Sequence, residues 1–300
     1  MFDEAQSVDN IGQILKLIHD EYPELQIIAT GSSSFELANR LNEPLTGRAI
    51  QFMVYPLSLS ELEHYFDRIT LQEKLEEILR YGLYPGVFNA PLNVREELLL
   101  NLSEQYLYND LIHFENLKNS QKIVALLKLI ALQVGNELSI HELATQLGFS
   151  RSTVERFLDL LEKMFVIVRV GSFSRNLRKE LSKKVKYYFY DLGIRNALLK
   201  SFNTLDIRQD LVALWENFCI LERLKFLHNQ GIYPNVYFWR THSQQEIDYL
   251  EERNGVLRGF EFKWRAPNVF HPPNVFLETY PGSTVELVTS QNWPLLIAKN

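Results

Sequence analysis

Residues 25–41, LQIIATGSSSFELANRL, join a short apolar run to a helical pattern. A second apolar run, AIQFMVYPLS, follows at residues 49–58. Continuous apolar runs that alternate with helical segments are typical of a parallel sheet covered on both faces. The sequence therefore predicts an α/β fold that begins with a buried parallel sheet.

A helix is predicted upstream of this stretch. Ile11, Leu15 and Ile18 recur at helical spacing, and Asp9 precedes them as a candidate N-cap. This helix would pack against the sheet.

The middle of the chain is dominated by helical patterns. A helical bridge is predicted at residues 66–118, interrupted by a loop at residues 81–88, YGLYPGVF. Residues 119–200 then combine three helical stretches with two alternating runs, VRVGSFS and KVKYYFYD. Two helices joined by a tight turn and followed by a β-hairpin predict a winged helix-turn-helix.

The last hundred residues change pattern again. A long amphipathic helix is predicted near residues 211–228, and the strand-like runs NVYFWRT, EIDYLEE, VLRGFEFKW and TVELVTS follow it. Residues 201–300 are therefore predicted to form a separate α/β domain.

Composition limits the classes of function. No stretch is long and apolar enough for a membrane span, and no signal peptide pattern is present, so we expect a cytoplasmic protein without a membrane partner. Cys219 is the only cysteine and the seven histidines are scattered, which excludes a cysteine-based zinc site and leaves carboxylates as candidate metal ligands.

The net charge of −6 hides one basic segment. Its seven basic residues, opposed by a single acid, are Arg169, Arg175, Arg178, Lys179, Lys183, Lys184 and Lys186. In a DNA-binding winged helix the hairpin contacts phosphates, and the second helix of the pair enters the major groove.

The start of that second helix offers Arg151, Ser152, Thr153 and Arg156. Together with Arg175, Arg178, Lys179, Lys183 and Lys184 of the hairpin, these are the candidate nucleic-acid-binding residues. The alternative is that the hairpin is a solvated surface or packs on a protein partner.

The N-terminal part carries four motifs in a fixed order: FDEAQ at residues 2–6, TGSSS at 30–34, LTGR at 45–48 and PLSLSE at 56–61. An isolated Asp-Glu pair carries little information, but this ordered run resembles AAA+ ATPases that have a C-terminal domain of unknown function. The resemblance implies an ATPase core at residues 1–65. It also implies that Asp3 and Glu4 end the Walker B strand and that Arg48 is the family's arginine. The candidates for sensing the γ-phosphate are Thr30 and Ser32 to Ser34, of which Ser32 is counted among the cofactor-binding residues.

One departure from that family decides what is expected of the ATPase part. The phosphate-binding pattern G-x-x-x-x-G-K-[ST] occurs nowhere in the 300 residues. ATP is bound by family members that have this loop, so we expect a truncated or degenerate family member that does not hydrolyse ATP by itself. The incomplete sheet would expose strand edges and favour a protein partner or a second copy of the chain.

The C-terminal part contains Glu216 in a helix, Asp248 at the end of one strand, and Glu261 and Lys263 alternating on the next. Alternating charges also occur on any half-exposed strand. The order of these residues, however, resembles that of restriction-endonuclease-like enzymes. The resemblance implies catalytic roles for all four and Mg²⁺ held by Asp248 and Glu261.

Between these regions, the segment YYFYDLGIRNALL at residues 187–199 resembles a family hallmark. Asp191 is placed to cap the following helix and is assigned no chemistry. The aromatic residues before it are predicted to be packed in a strand.

Three functions remain open from the sequence. The first is a truncated or degenerate AAA+ protein that handles nucleic acid, with DNA as partner. The second is a metal-dependent nuclease acting through the C-terminal domain. The third is a DNA- or protein-binding module without enzymatic activity.

Overall fold

The computed structural model describes residues 1–31, 45, 47–104, 120–174, 184–241, 243 and 245–298. The chain forms two compact units. The first combines Met1–Val54 with Glu155–Ile167, and the second combines Tyr55–Val154 with Val168–Asn300.

The described residues have a mixed α/β structure, which confirms the predicted class. The helices are α1 Ile11–Glu21, α2 Leu59–Leu62, α3 Arg68–Tyr81, α4 Pro85–Phe88, α5 Leu92–Glu104, α6 Ser120–Leu132, α7 Ile140–Leu147, α8 Arg151–Lys163, α9 Leu192–Leu199, α10 Leu211–Asn229 and α11 Asn274–Thr279. The strands are β1 Ile167–Ser172, β2 Val185–Phe189, β3 Asn235–Arg240, β4 Glu246–Arg253, β5 Val256–Lys263 and β6 Thr284–Thr289. No described helix combines the length and apolar character that a membrane crossing requires.

The first unit has a small core in which Ala5, Ile11 and Leu15 are buried. Phe2 and Ala29 form a parallel bridge. The Phe2 amide donates to the Ile28 carbonyl at 2.8 Å. The predicted helix is confirmed as α1, and the parallel pairing is present at this single bridge.

The N-cap of α1 differs from the prediction. Asn10, not Asp9, occupies the N-cap position, with φ 56° and no side-chain capping bond. A cap residue normally has extended backbone so that its side-chain oxygen can reach the first-turn amides. The left-handed conformation of Asn10 does not provide this geometry.

The second apolar run of the N-terminal part is not a buried strand, so this prediction was wrong. The described residues between Gly47 and Pro56 contain no strand. Ile50, Phe52 and Val54 expose 83%, 83% and 92% of their surface. A β-forming segment needs the backbone of a neighbouring strand, and the described residues of this unit provide none beside it.

The second unit is built around one six-stranded mixed sheet in the order β2-β1-β3-β4-β5-β6. Strands β3, β4 and β5 pair antiparallel, whereas β1 with β3 and β5 with β6 pair parallel. The four strands predicted near the C-terminus are confirmed as β3 to β6. The sheet also includes β1 and β2, which come from the predicted winged-helix region.

Helix α10 confirms the predicted helix but not its amphipathic character. Every residue from Leu214 to Leu227 is buried. Its charged residues are paired rather than exposed, as in the bonds from Arg223 Nε to Glu251 Oε1 at 2.5 Å and from Lys225 Nζ to Glu222 Oε1 at 2.7 Å. A helix buried all round can carry charges only where partners satisfy them.

A buried carboxylate joins the helical bridge to α9. Asp191 Oδ1 accepts from the Ile194 amide at 3.2 Å, which confirms the predicted cap of α9. Its Oδ2 accepts from the Leu83 amide at 2.6 Å, immediately after α3 ends at Gly82. The loop predicted at residues 81–88 is therefore only partly a loop, because Pro85 starts the short helix α4.

Gly82 provides a test of this interlock. Its φ is +72°, and a Cβ there would lie 2.1 Å from Asp191 Oδ1, whereas a Cβ at Gly86 would meet nothing within 4 Å. We expect Gly82→Ala to lower the free energy of unfolding by about 2–4 kcal/mol, because it adds backbone strain and a steric clash. Gly86→Ala should change it by less than about 1 kcal/mol. Urea unfolding of both variants measures this, and equal effects would contradict the interlock.

Candidate active site

Four carboxylates and two lysines converge beside α10 in the second unit. Glu216 comes from α10, Glu246 and Asp248 from β4, and Glu261 and Lys263 from β5, while Lys186 comes from β2. The antiparallel register pairs Tyr249 with Phe260. Continuing this register places Asp248 opposite Glu261 on one face of the sheet.

Lys186 lies at the centre of the ionic contacts. Its Nζ donates to Glu246 Oε1 at 2.6 Å and to Glu216 Oε1 at 3.1 Å, and its side chain is only 2% exposed. Burial lowers the pKa of Lys186, but the two glutamates and Asp248 outweigh it and raise the pKa above its ordinary value. The lysine is therefore charged, and its charge is compensated by carboxylates on two different elements.

Glu216 is buried, and the pKa of its carboxyl group is strongly shifted. Its Oε1 also accepts from the Tyr188 hydroxyl at 2.5 Å. A Cβ added at Gly135 would lie 3.1 Å from Oε2, so backbone closely approaches this oxygen. Burial, followed by repulsion from Asp248, raises the pKa of Glu216 to about 7 against the opposing effects of Lys186 and Tyr188.

Asp248 and Glu261 form the second part of the cluster. Asp248 Oδ2 accepts from the Phe262 amide at 2.8 Å, which fixes this carboxylate against β5. Burial raises the pKa of Asp248, while Lys186, the Phe262 amide and Lys263 oppose the rise. Burial also raises the pKa of Glu261, again opposed by Lys263. Both acids are thus held where a nearby cation would favour their charged forms.

The donor set suits a magnesium ion. Mg²⁺ is usually held by one or two carboxylates together with water and substrate phosphate. Asp248 and Glu261 are such a pair, with Lys263 on the same face. Among the residues that the structure describes, no three His, Cys, Asp or Glu side chains form a group that could hold a metal ion. The remaining ligands would therefore have to come from water and substrate.

The structure brings together all four residues predicted for this site, Glu216, Asp248, Glu261 and Lys263. One detail was wrong, because Asp248 is the third residue of β4 and lies near its beginning rather than its end.

Sequence reasoning missed three members of the cluster: Lys186, Tyr188 and Glu246. Lys186 was expected to contact phosphates from the basic hairpin, which is wrong because its side chain is buried. The only available signal was the alternation of Lys186 and Tyr188 in KVKYYFYD, which puts both on one face of a strand. The predicted packing of the aromatic run is confirmed, since Tyr187, Tyr188 and Phe189 are buried.

The candidate ATPase residues lie in the first unit. Thr30 Oγ1 donates to Asp3 Oδ1 at 2.5 Å, so the ends of the two bridged segments are in contact. Glu4 is exposed with φ 48°. Arg48 Nε contacts Asp20 Oδ1 of α1 at 3.3 Å. Ser32 lies outside the described residues.

The candidate nucleic-acid-binding residues begin at the N-terminus of α8. Ser150 Oγ accepts from the Thr153 amide at 3.1 Å and lies within 2.9 Å of the Ser152 and Thr153 hydroxyls. These hydroxyls therefore form hydrogen bonds at the start of the helix. Arg151 and Arg156 are exposed. Both arginines are accessible to solvent at the predicted position.

Only one hairpin residue among these candidates is described. The Lys184 side chain is 69% exposed and pairs with Glu137 at 2.5 Å. The others, Arg175, Arg178, Lys179 and Lys183, lie outside the described residues. The region predicted as a winged helix contains helices α6 to α8 and strands β1 and β2.

Family comparisons divide the chain into three segments. Residues 1–63 match the model of an AAA domain. Residues 72–205 match a domain of unknown function, DUF8612, and residues 212–287 match another, DUF4143. The N-terminal segment is therefore of the AAA type and is followed by domains of unknown function, as the resemblance implied.

The chain is also similar to several uncharacterized proteins. One from Mycobacterium tuberculosis is 27% identical over 266 residues, covering 87% of this chain and 57% of that protein. One from Methanocaldococcus jannaschii is 25% identical over 266 residues, covering 83% and 57%. One from Haemophilus influenzae is 26% identical over 204 residues, covering 65% and 51%. The chain thus spans about half the length of these relatives. No solved structure matches it.

The perturbed carboxyl of Glu216 predicts a pH dependence of stability. Its pKa rises from 4.5 to about 7 on folding. The unfolded chain therefore loses this proton at lower pH than the folded chain. Because the folded chain holds the proton more tightly, the free energy of unfolding falls as the pH rises between the two pKa values. Relative to Glu216→Gln, the wild type should lose about 3 kcal/mol between pH 4.5 and 7. Urea unfolding across this range measures the difference, with the exposed Glu278→Gln as control. A constant difference between wild type and Glu216→Gln would contradict the assignment.

Proposed function

We propose that the second unit cleaves phosphodiester bonds in nucleic acid with a divalent cation held by Asp248 and Glu261. The observation that carries this proposal is the convergence of buried Asp248 and half-buried Glu261 with Lys263 and Glu216. Such a cation would polarise the phosphate and favour ionisation of a bound water.

The residues of the chain have separable roles in this proposal. Asp248 is fixed by the Phe262 amide, so its free oxygen keeps a constant direction. Lys263 is exposed at the end of β5, where its ammonium can stabilise the charge that develops on the phosphate. Glu216 lies between Tyr188 and Lys186 and accepts a hydrogen bond from each of them.

The proposal includes a binding surface for nucleic acid and excludes independent ATP hydrolysis. Arg151 at the start of α8 and Lys184 of the hairpin, both in the second unit, would supply phosphate contacts. The chain has an AAA-type segment but no G-x-x-x-x-G-K-[ST] loop. Among these 300 residues, no such amides and lysine accompany Asp3, Glu4 and Arg48.

A cleavage assay tests the proposed reaction. With Mg²⁺ or Mn²⁺, the wild type should cut DNA or RNA, and Asp248→Asn should reduce the rate by at least about 100-fold. Asparagine preserves the acceptor for the Phe262 amide while removing the charge. Glu261→Gln and Lys263→Met should have similar effects, and the exposed Glu278→Gln on α11 should have none. A wild type that cuts nothing, or an Asp248→Asn variant with full activity, rejects the proposal.

One observation favours a second candidate, a nucleic-acid-binding module without cleavage. Lys186 already satisfies Glu216 and Glu246, as in a purely structural ion-pair network. In that case binding would persist and cleavage would be absent.

Binding itself has a measurable signature. If Arg151 contacts a phosphate, Arg151→Gln should weaken DNA binding and reduce the slope of log affinity against log salt by about 1. The exposed Arg253→Gln, at the end of β4, serves as control and should leave the slope unchanged. Fluorescence anisotropy between low and physiological salt measures both. Affinity that ignores salt, or an unchanged slope in Arg151→Gln, argues against this surface.

A further inference from the structure

We propose that Lys186 takes the place of a second divalent cation, so that the site holds a single metal ion at Asp248 and Glu261. This inference rests on the proposed function, which identifies Asp248 and Glu261 as the residues that hold the metal ion. It assigns to Lys186 a positioning role, exerted through Glu216 and Glu246.

The contacts of Lys186 are those of a bridging cation. Its Nζ lies 2.6 Å from Glu246 Oε1 and 3.1 Å from Glu216 Oε1. These oxygens come from β4 and α10, so the ammonium links the two elements. The ammonium also lies 5.2 Å from the centre of the Phe238 ring, which favours a cation there. An ion between two carboxylates is the arrangement that a second divalent metal would adopt.

The charges of the cluster agree with a single metal ion. Four carboxylates, Glu216, Glu246, Asp248 and Glu261, face the ammonium groups of Lys186 and Lys263. At the rim, Arg240 contacts Glu246 at 3.7 Å and Glu137 at 3.5 Å, and Glu137 also pairs with Lys184. With all six groups ionised, these carboxylates and ammonium groups carry a formal charge of −2, and a bound divalent cation favours this ionised state and offsets its charge. Removing Lys186 would leave −3 and open a second cation position.

Lys186 and the acids that surround it come from two different segments of the chain. Lys186 and Tyr188 lie in the segment that matches DUF8612, whereas all four acids lie in the segment that matches DUF4143. The edge strand β2 is held beside α10 by Asn217, whose side chain bonds both the amide and the carbonyl of Phe189 at 2.8 Å. The two segments therefore contribute to one site.

Titration of the metal-free protein with Mn²⁺, followed by the EPR signal of free Mn²⁺, tests this assignment without measuring cleavage. The wild type and Lys186→Arg should bind one ion per chain. Lys186→Gln should bind two, or bind the first at least about 10-fold more tightly, because a positive charge has been removed from the cluster. Lys128→Gln, at an exposed lysine of α6, is the matched control and should resemble the wild type.

Each outcome bears on the assignment. Two ions in the wild type, or one ion with unchanged affinity in folded Lys186→Gln, overturns it. If neither protein binds Mn²⁺, the inference and the metal of the proposed function fail together. If the stoichiometry changes as expected but no nucleic acid is cut, the inference stands and the proposed reaction fails.

The Lys186→Gln variant carries uncompensated buried acids, so its folding is a second readout. If it is unfolded without metal, Mn²⁺ should restore the fold, since a bound ion stabilises the native state by mass action. Failure to fold in Mn²⁺, while Lys186→Arg folds, would overturn the assignment and identify Lys186 as a structural ion pair only.

Discussion

The ion pair between Lys186 and the carboxylates of Glu216 and Glu246 is the interaction on which the second unit depends. Removing these charges from water costs several kcal/mol for each ion, and only close opposite charges offset that cost. Lys186 provides the opposite charge for two elements at once, α10 and β4. Its own strand β2 is thereby tied to both. A single ammonium thus connects the edge of the sheet, the buried helix and the face that carries Asp248 and Glu261.

The surrounding structure fixes the strand that carries this lysine. Asn217 bonds the backbone of Phe189 on both sides, and Asp191 begins α9 only two residues further on. Asp191 also accepts from Leu83, which attaches the end of β2 to the helical bridge. Hydrogen bonds depend on direction, whereas hydrophobic packing does not. These polar contacts therefore fix the position of the Lys186 side chain more closely than apolar contacts would. The candidate site is therefore positioned by buried polar contacts around it.

Much of the second unit could be predicted from sequence because its signals are local. The prediction that Glu261 and Lys263 lie on one face depends only on the alternation of side chains along a strand. The prediction of the cap at Asp191 depends only on a short polar side chain before a helix. Lys186 could not be assigned, since its basic neighbours indicated a solvent-exposed hairpin and its partners lie 30 and 60 positions away. The apolar run at Ile50, Phe52 and Val54 was misread for a related reason. Residue type favours a strand, but a strand forms only where the backbone of a neighbouring strand provides its hydrogen bonds.

The central claim is that the cluster is a cation site of defined composition. Anomalous scattering from crystals grown with Mn²⁺ tests it most directly, because it locates the ion independently of any reaction. The account predicts one strong peak within bonding distance of Asp248 and Glu261, with the Lys186 ammonium still between Glu216 and Glu246. A peak at the Lys186 position, or none at Asp248 and Glu261 under saturating Mn²⁺, would contradict it.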